Sequence, residues 1–462
     1  MTYFLGIIPY VLCLSTILIQ GCRANELTRV WWRSVSRNYL NYSEVTNLLH
    51  SMEAEFPTFI KVYSLGKSVR QLDIWAINIR ENVYEERPLG IPQLKISANI
   101  HGDESVGRSL VLMLAVDLTR RYLAGNKTSI WLLTKADIHL IPSINPDGFE
   151  QILQEYSHGH QAICEPFLDK FGRLNARGKD LNSNFPDQFE EIVQNENTQN
   201  EKETKNIVEH IKTHDFVLSL NLMGGALVAA YGFMSGPLQH SRCVLGDNHS
   251  PSLSPDEKYF EWLSKLYATN HKTMGTGPQC ETKNQLQFPL GISNGASSPH
   301  LSSYGSMSDF VYLNSNCFEL TVFVSCCKFP DASSLHQEWL NNARALYKFL
   351  IAGSFVGIKG VFTDEQGQPN PRAKVVVEGN SHHVFTNLRG EYWRPLATGS
   401  YRYSIVSSST QSSPITLEEV EDLPDPENEV IEEDEIDESG ASIFTRNLTL
   451  LLVLMFLVTH FK

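Results

Sequence analysis

Two residues with metal-binding side chains, His101 and Glu104, lie three positions apart in the segment His-Gly-Asp-Glu. An apolar, strand-like run (94–100) precedes them and a helical pattern follows, which predicts a strand-to-helix turn. An imidazole and a carboxylate at such a turn can bind one zinc ion, which takes nitrogen and oxygen ligands at about 2.0–2.2 Å. Two ligands do not complete a zinc site, because such sites hold at least three protein ligands.

Further motifs downstream carry side chains suited to peptide hydrolysis. In chain order they are Gly172-Arg173, Asp180 to Pro186, Asn221 to Ala229, Met307 to Tyr312 and Asn316 to Thr321. With these ordered motifs the chain resembles the zinc metallocarboxypeptidases of the carboxypeptidase M/N/E/D branch, from about Leu27 to the C-terminus. Within that branch the layout is similar to the membrane-anchored, carboxypeptidase M-like form.

The resemblance implies that His101 and Glu104 are two of three zinc ligands. The third is the histidine of the family's Asn-Leu-His-Gly-Gly-Ala segment, and this chain has Met223 there. A thioether is neutral and soft, so it binds Zn²⁺ poorly. We expect zinc binding to be weak or absent, with Met223 a space-filling apolar residue. His300 is a remote candidate for a replacement ligand.

Three other residues match catalytic positions of the family. Glu319 corresponds to the general acid/base that activates the zinc-bound water. Arg173 corresponds to the arginine that stabilises the tetrahedral oxyanion, and Tyr312 to the tyrosine that covers bound substrate. We expect these residues to be retained at the site. The alternative is that each is a buried ion pair or a core hydroxyl.

The positions that match the family's substrate-binding residues are altered. Where the family has an arginine that grips the substrate carboxylate in a bidentate fork, this chain has Ser183, beside a retained Asn182. The branch prefers C-terminal Lys or Arg, and Met234 and Ser308 replace the two polar residues that recognise that charge. The Trp-Tyr pair that follows the family's Asn-Gly is missing after Gly295. These changes predict lost or strongly impaired carboxypeptidase activity on a retained scaffold.

Strand-like and helical segments alternate along the chain and would position these motifs. The apolar strand-like runs are 72–79, 94–100, 138–144, 216–222 and 318–324. Such alternation predicts an α/β fold, which the resemblance identifies as a mixed-sheet zinc carboxypeptidase-like domain at 25–353. Short strands separated by Gly, Pro and Asn turns follow. By resemblance they form a small transthyretin-like β-sandwich at 354–410.

Both ends of the chain carry export and membrane signals. A short apolar core and small residues before a cleavage site predict a signal peptide at 1–24. Small residues at 439–442, followed by an apolar tail, predict a glycosylphosphatidylinositol-anchor signal at 441–462. A C-terminal transmembrane helix is the alternative. We expect the protein on the extracellular face of the plasma membrane, with secretion as the alternative location.

The charge is concentrated in one segment. The chain has a net charge of −14, and 418–438 contains 13 acidic residues and no Lys or Arg. This composition predicts an extended acidic stalk at 411–440 and argues against nucleic-acid binding. Six cysteines outside the predicted signal peptide suggest disulfides with 15 possible pairings. Three glycosylation sequons, at Asn41, Asn126 and Asn248, are consistent with export.

Three functions are compatible with this pattern. The favoured one is a non-catalytic protein that keeps a cleft for peptides or protein C-termini. The second is an active zinc carboxypeptidase with an unusual third ligand and altered specificity. The third is a structural ectodomain in which the β-sandwich or the acidic stalk makes the contacts.

Overall fold

The computed structural model describes residues 23–157, 164, 172–186, 200–236, 251–276, 280, 288–298, 301–355, 357–407 and 415–417. The predicted lipid-anchor signal, and nearly all of the predicted signal peptide and acidic stalk, lie outside these residues. Within the described part of the chain, no helix is both long and apolar enough to cross a membrane.

A mixed sheet of eight strands forms the centre of the fold, in the order β1-β2-β4-β3-β5-β8-β6-β7. The strands are β1 (Ile60–Lys67), β2 (Asp73–Ile79), β3 (Gln93–Ala98), β4 (Asp137–Ile141), β5 (Phe216–Met223), β6 (Ala226–Tyr231), β7 (Ile292–Asn294) and β8 (Phe318–Ser325). The central strands β4, β3, β5 and β8 are mutually parallel. They are almost entirely buried, as expected where helices cover both faces of a parallel sheet.

Nine helices of the described chain connect and cover these strands. They are α1 (23–37), α2 (Tyr42–Glu55), α3 (Ser105–Leu123), α4 (Lys127–Lys135), α5 (Pro146–Ser157), α6 (Lys202–Thr213), α7 (Glu257–Asn270), α8 (Met307–Asn314) and α9 (Leu335–Ser354). The predicted mixed-sheet α/β domain is confirmed. Since β3, β5 and β8 run parallel, their carboxyl ends meet at one edge, where α/β sheets build their sites.

Two small sheets follow α9. One has the order β11-β10-β13-β14 and the other pairs β12 with β9. Their strands are β9 (Ile358–Val361), β10 (Lys374–Val377), β11 (Val384–Phe385), β12 (Glu391–Arg394), β13 (Tyr401–Val406) and β14 (Ile415–Leu417). Strand β14 lies beyond the predicted boundary at 410 and pairs antiparallel with β13. The β-branched Ile415 and Thr416 favour that extended conformation.

Two disulfides anchor loops to the carboxyl end of β8. Cys326 bonds to Cys280, and its neighbour Cys327 bonds to Cys164. Cys317 is a buried free thiol, and Cys243 lies outside the described residues. The sequence left the disulfide pairing of six cysteines open, and the structure assigns the partners of four of them.

Candidate functional site

The loop that carries His101 and Glu104 is held in place by one asparagine. Asn99 follows β3 in the left-handed region, with a φ of 58°, which asparagine tolerates better than most residues. Its side-chain amide donates to the carbonyls of His101, Gly102 and Glu104 at 2.9, 3.0 and 3.1 Å. The amide therefore fixes the backbone on both sides of the two predicted metal ligands.

Gly102 brings a second loop against this one. A Cβ atom at position 102 would lie 2.3 Å from the carbonyl carbon of Gly148 and from the carbonyl oxygen of Gly172. Only glycine allows so close an approach. The Gly102 N–H donates to the carbonyl of Arg173 at 3.2 Å, and this contact places Arg173 beside the His101 loop.

His101, Glu104 and Arg173 meet in a charged network with Asp180. His101 Nδ1 lies 3.0 Å from Glu104 Oε1, and His101 Nε2 lies 2.9 Å from Asp180 Oδ1. Arg173 Nη2 donates to Asp180 Oδ2 at 2.9 Å, and its Nη1 lies 3.5 Å from Glu104 Oε1. The structure therefore brings together three of the residues assigned from sequence.

Lys328, in the loop that follows β8, extends the network. Its Nζ donates to Asp103 Oδ2 at 3.2 Å and lies 3.5 Å from Glu104 Oε1. When His101 is protonated, three cations face three carboxylates at this site. The network thus neutralises itself without a metal ion.

The pKa shifts follow from these contacts. Burial acts to raise the pKa of Glu104, but His101 and Lys328 outweigh it and lower that pKa to about 2. Burial and Arg173 act to lower the pKa of His101, but Glu104 and Asp180 raise it overall. The pKa of Asp180 is held well below its usual range, since His101 and Arg173 outweigh the effect of burial. The network therefore favours ionised Glu104 and Asp180 and a protonated His101, whereas burial raises the pKa of Asp103.

Sequence analysis did not assign roles to Asp180 and Lys328. Asp180 is the first residue of the Asp-Leu-Asn-Ser-Asn-Phe motif, so its position in that motif could have identified it as a site residue. Lys328 follows two adjacent cysteines and carries no comparable signal, because its contact with Asp103 joins loops 225 residues apart in sequence.

Met223 lies where the network could receive a third ligand. It is the last residue of β5, and the N–H of the following Gly224 donates to Glu104 Oε2 at 3.2 Å. The side chain of Met223 is buried, with 4% exposure, and belongs to the apolar cluster beneath the site. The predicted role of Met223 as an apolar space-filler agrees with this placement.

Phe323 is the residue of β8 that lies beside Met223. The two residues are register partners on adjacent parallel strands, and Phe323 joins the same apolar cluster with 6% exposure. Sequence analysis did not single out this position. At this edge, β5 and β8 therefore contribute a thioether and a phenyl ring.

The structure places Glu319 away from the network, contrary to its assignment as the general acid/base. Glu319 pairs in register with Ser219, four residues before the Met223–Phe323 pair, or about 13 Å along the strand. Its Oε2 accepts from Lys95 Nζ at 2.8 Å and from Ser219 Oγ at 2.7 Å. Both charged side chains are fully buried. Glu319 therefore forms a buried ion pair with Lys95. A buried ion pair is the alternative that the sequence analysis gave for this residue.

Tyr312 also lies elsewhere. Its hydroxyl donates to Asp256 Oδ2 at 2.7 Å, and its ring stacks on His382 with centroids 4.0 Å apart. Asp256 in turn accepts from buried Arg394 of β12 at 2.6 Å. Tyr312 is 3% exposed, so it connects the sheet domain to the small β region. This buried contact corresponds to the alternative of a core hydroxyl that the sequence left open for Tyr312.

Asn182 and Ser183 form a short helical turn directly after Asp180. The Asn182 side-chain oxygen accepts from the N–H of Met307 at 3.1 Å, which ties this turn to the start of α8. Ser183 is exposed, and its Oγ lies 3.4 Å from Ser303 Oγ. This turn presents neutral hydroxyls where a carboxylate clamp would need a cation.

Met234 and Ser308 both lie near the start of α8. The N–H of Met234 donates to Asp309 Oδ1 at 2.9 Å, while its side chain is 1% exposed and belongs to the apolar cluster. A Cβ at Gly295 would lie 2.3 Å from Met234 Sδ, so the methionine fills that space. Ser308 Oγ lies 3.4 Å from Ser306 Oγ. Neither residue offers a charge to a basic substrate side chain.

The donor set does not fit a stable zinc site. His101 Nδ1 and Glu104 Oε1 face each other, and Asp180 orients the second imidazole nitrogen as an outer-shell carboxylate does, so only two donors of a zinc site are in place. The third position holds the thioether of Met223, which is a poor ligand for Zn²⁺. His300, the remote replacement candidate, lies outside the described residues.

Comparisons with known proteins agree with the resemblance. The chain is 39% identical to carboxypeptidase M of Mus musculus over 358 residues, which cover 76% of this chain and 74% of that protein. It is 34% identical to the carboxypeptidase N catalytic chain of Homo sapiens, with 83% of both chains covered. It is 38% identical to carboxypeptidase D of Drosophila melanogaster, covering 81% of this chain but 25% of that longer protein.

A solved structure shows the same fold. Carboxypeptidase A from Helicoverpa armigera matches with a TM-score of 0.52 at 17% identity, covering 70% of this chain and 75% of that chain. The zinc carboxypeptidase family (Peptidase_M14) matches residues 45–345, which is more than half of this chain. The chain therefore belongs to the zinc carboxypeptidase family.

Proposed function

We propose that this protein is an extracellular, membrane-tethered member of the family that no longer hydrolyses peptides and keeps a cleft for peptides or protein C-termini. One observation carries the proposal. The apolar pair Met223 and Phe323 occupies the edge of the sheet beside Glu104. An imidazole at the first position would complete a zinc site, and a carboxylate at the second could act on a zinc-bound water.

The charge balance around His101 supports loss of the metal. A divalent cation would have to compete with Arg173 and Lys328 for Glu104. Because those cations already compensate the buried carboxylates, zinc would gain less here than in a site of uncompensated anions. Zinc is expected from the family, and we propose that its binding at His101 and Glu104 is weak or absent.

The proposed ligand is a peptide segment that is held without strong selection for its terminal charge. Ser183 offers a hydroxyl in place of a guanidinium, and Met234 is a core residue. A substrate carboxylate or a basic side chain would therefore lack a charged partner at these positions. Binding would depend on the remaining polar groups and on shape.

The tether and the second domain belong to the same proposal. The small residues at 439–442 and the apolar tail support a glycosylphosphatidylinositol anchor. The short strands after α9 are consistent with a transthyretin-like sandwich. Phospholipase treatment of expressing cells tests the anchor, since release into the medium is expected and retention would favour a transmembrane helix.

A combined zinc and peptide assay tests the central proposal. The purified protein is dialysed against a chelator, resupplied with Zn²⁺, and mixed with peptides that end in Lys, Arg or an apolar residue. We expect binding in fluorescence anisotropy without release of the terminal residue. An active carboxypeptidase with altered specificity is the second candidate, favoured by relatives that are named carboxypeptidases at 34–39% identity. Chelator-sensitive release of any C-terminal residue would establish that alternative.

A further inference from the structure

Three histidines form a second cluster of titratable side chains, separate from the His101 network. His139 lies on β4, and His210 and His214 lie at the end of α6. One candidate ligand atom from each imidazole lies within 4.8 Å of the other two. The ring centroids of His210 and His214 are 4.3 Å apart, and the His139 centroid lies 6.2 Å from that of His210 and 5.3 Å from that of His214. We call this group the imidazole cluster.

The local structure explains why the rings converge. His210 and His214 are four residues apart, so a helical turn places them on one face of α6. His139 pairs in register with Lys95 of β3 and projects from the sheet face that α6 covers. Two ligands from one helical turn and a third from a facing strand can surround a single ion.

Tyr63 of β1 lies between two of the imidazoles. Its hydroxyl oxygen is 2.6 Å from His139 Nδ1 and 2.8 Å from His210 Nε2. A hydroxyl has one proton, so it can donate to only one of these nitrogens and must accept from the other. Asp137 Oδ2 lies 3.5 Å from His139 Nε2. If His139 donates to that carboxylate, Tyr63 donates to His139 Nδ1 and accepts from His210 Nε2.

This hydrogen-bond chain leaves a buried nitrogen without a partner. His210 is 4% exposed, and its Nδ1 has no hydrogen-bond partner among the described residues. In the tautomer given above, Nδ1 carries the lone pair. An unpaired buried acceptor is costly unless something binds it. His214 donates through Nδ1 to the His210 carbonyl at 2.9 Å, which leaves its Nε2 with a lone pair as well.

Two of the three imidazoles, His210 and His214, lie in surroundings that favour the neutral ring. Burial lowers the pKa of His214 to about 4 and, with help from the neighbouring His214 and His139, lowers the pKa of His210 strongly. Both rings are therefore neutral near pH 7, as metal ligation requires. His214 is only partly buried, so an ion could reach the cluster from solvent.

We propose that His139, His210 and His214 bind one divalent transition-metal ion that prefers nitrogen ligands, with Zn²⁺ as the probe. Three imidazoles suit such an ion, which takes the Nδ1 lone pair of His139 in place of the Tyr63 hydroxyl, and a water molecule fills the fourth position. Ligand nitrogens around a tetrahedral zinc ion lie about 3.4 Å apart, so the side chains close inward by an ångström or so on binding. Asp137 supports His139 as a carboxylate in the outer shell.

This site is separate from the family's zinc position. His139 is level with Lys95, three residues before β3 ends at Ala98, so about 10 Å of strand separates it from the start of the His101 loop. The buried ion pair of Lys95 on β3 and Glu319 on β8 lies at the same height along the strands as His139. Metal binding at one site therefore does not require the other, and the inference stands whether or not the proposed loss of hydrolysis is correct.

Calorimetric titration of the full chain with Zn²⁺, after chelator treatment, tests the proposal. We expect one equivalent of Zn²⁺ to bind and to raise the Tm, whereas Mg²⁺ does neither. His214→Gln should weaken Zn²⁺ binding by at least about 100-fold, since even loss of an outer-shell partner costs 10- to 100-fold. His50→Gln, at an exposed histidine of α2, is the matched control and should bind like the unmodified protein.

A second pair of variants separates this site from the His101 network. His101→Gln should keep the single equivalent, and His210→Gln should lose it. If His210→Gln does not fold, the partly exposed His214→Gln gives the decisive result. Absence of Zn²⁺ binding in the unmodified protein would overturn the proposal. So would binding that His101→Gln removes and His214→Gln leaves intact.

Discussion

Met223 of β5 and Phe323 of β8 are register partners at the carboxyl edge of the sheet. Both side chains are buried, at 4% and 6% exposure. The N–H that follows Met223 binds Glu104, so this apolar pair adjoins the two remaining metal-binding residues. At their carboxyl ends, β5 and β8 therefore supply apolar side chains that pack together, and they supply neither a metal ligand nor a general base at these two positions.

Met223→His should restore metal binding at His101 and Glu104. The substitution supplies the third nitrogen or oxygen donor that zinc requires, and we expect zinc affinity to rise by more than about tenfold. Equilibrium dialysis in a His214→Gln background avoids a contribution from the imidazole cluster. Met223→Leu conserves volume and should give no gain. A folded Met223→His protein without a gain would show that the ion-pair network keeps zinc out by itself.

Glu319→Gln should destabilise the fold without affecting any hydrolysis. The variant leaves Lys95 buried without its counter-charge, and breaking a buried pair costs about 3–5 kcal/mol. Chemical denaturation measures the loss. The double variant Lys95→Met with Glu319→Leu should be less destabilised than either single change, since no lone charge is left. Unchanged stability of Glu319→Gln, together with loss of a measurable hydrolysis, would return Glu319 to a catalytic role.

The difference between Glu319 and Phe323 shows what sequence could and could not predict. The apolar runs at 216–222 and 318–324 predicted β5 and β8 nearly to the residue, because continuous apolar runs are typical of buried parallel strands. Which glutamate or phenylalanine reaches the sheet edge depends on strand register. The register of β8 is set by its pairing with β5, and it cannot be obtained from one amino-acid sequence alone.

Other differences have the same origin. The edge strands β1 and β7 were not predicted, since β1 is only half-buried and β7 has three residues. Strand β6, which is buried and pairs with β8, was not predicted either. Tyr312 matched a family motif, but its hydrogen-bond partner Asp256 lies just before α7. Asp256 in turn accepts a hydrogen bond from Arg394 of β12. The imidazole cluster joins a strand and a helix end about 70 residues apart. Only the spacing of His210 and His214 was visible in sequence.

Ser183→Arg should give the cleft a preference for a free C-terminal carboxylate. The exposed position lies beside Asn182 and Ser303, and a guanidinium there can form a charge-assisted pair. We expect free-acid and amidated forms of one peptide to bind the unmodified protein alike. The variant should prefer the free acid by at least about tenfold. Ser183→Gln, which is long but uncharged, is the control, and a preference already present in the unmodified protein would contradict this prediction.

Stability should fall as the pH rises from about 5 to 7, through Glu338 of α9. Burial raises the pKa of Glu338 to about 7 from its usual 4.5. The unfolded chain therefore releases this proton first, and the free energy of unfolding decreases over that interval. Glu338→Gln should remove up to about 3 kcal/mol of this dependence, at about 1.4 kcal/mol per pKa unit. Denaturation at several pH values measures it, with exposed Glu209→Gln as the control, and parallel curves for all three proteins would contradict the assignment.

The most direct test of the account is the release of C-terminal Lys or Arg from peptides by the unmodified, zinc-supplied protein. The account predicts no release above that of a Glu104→Gln variant, because the edge beside Glu104 offers Met223 and Phe323 instead of a ligand and a carboxylate. Release with a kcat of about 1 s⁻¹ or more, in the range of ordinary enzymes, would contradict it if chelation and Glu104→Gln both abolish that activity.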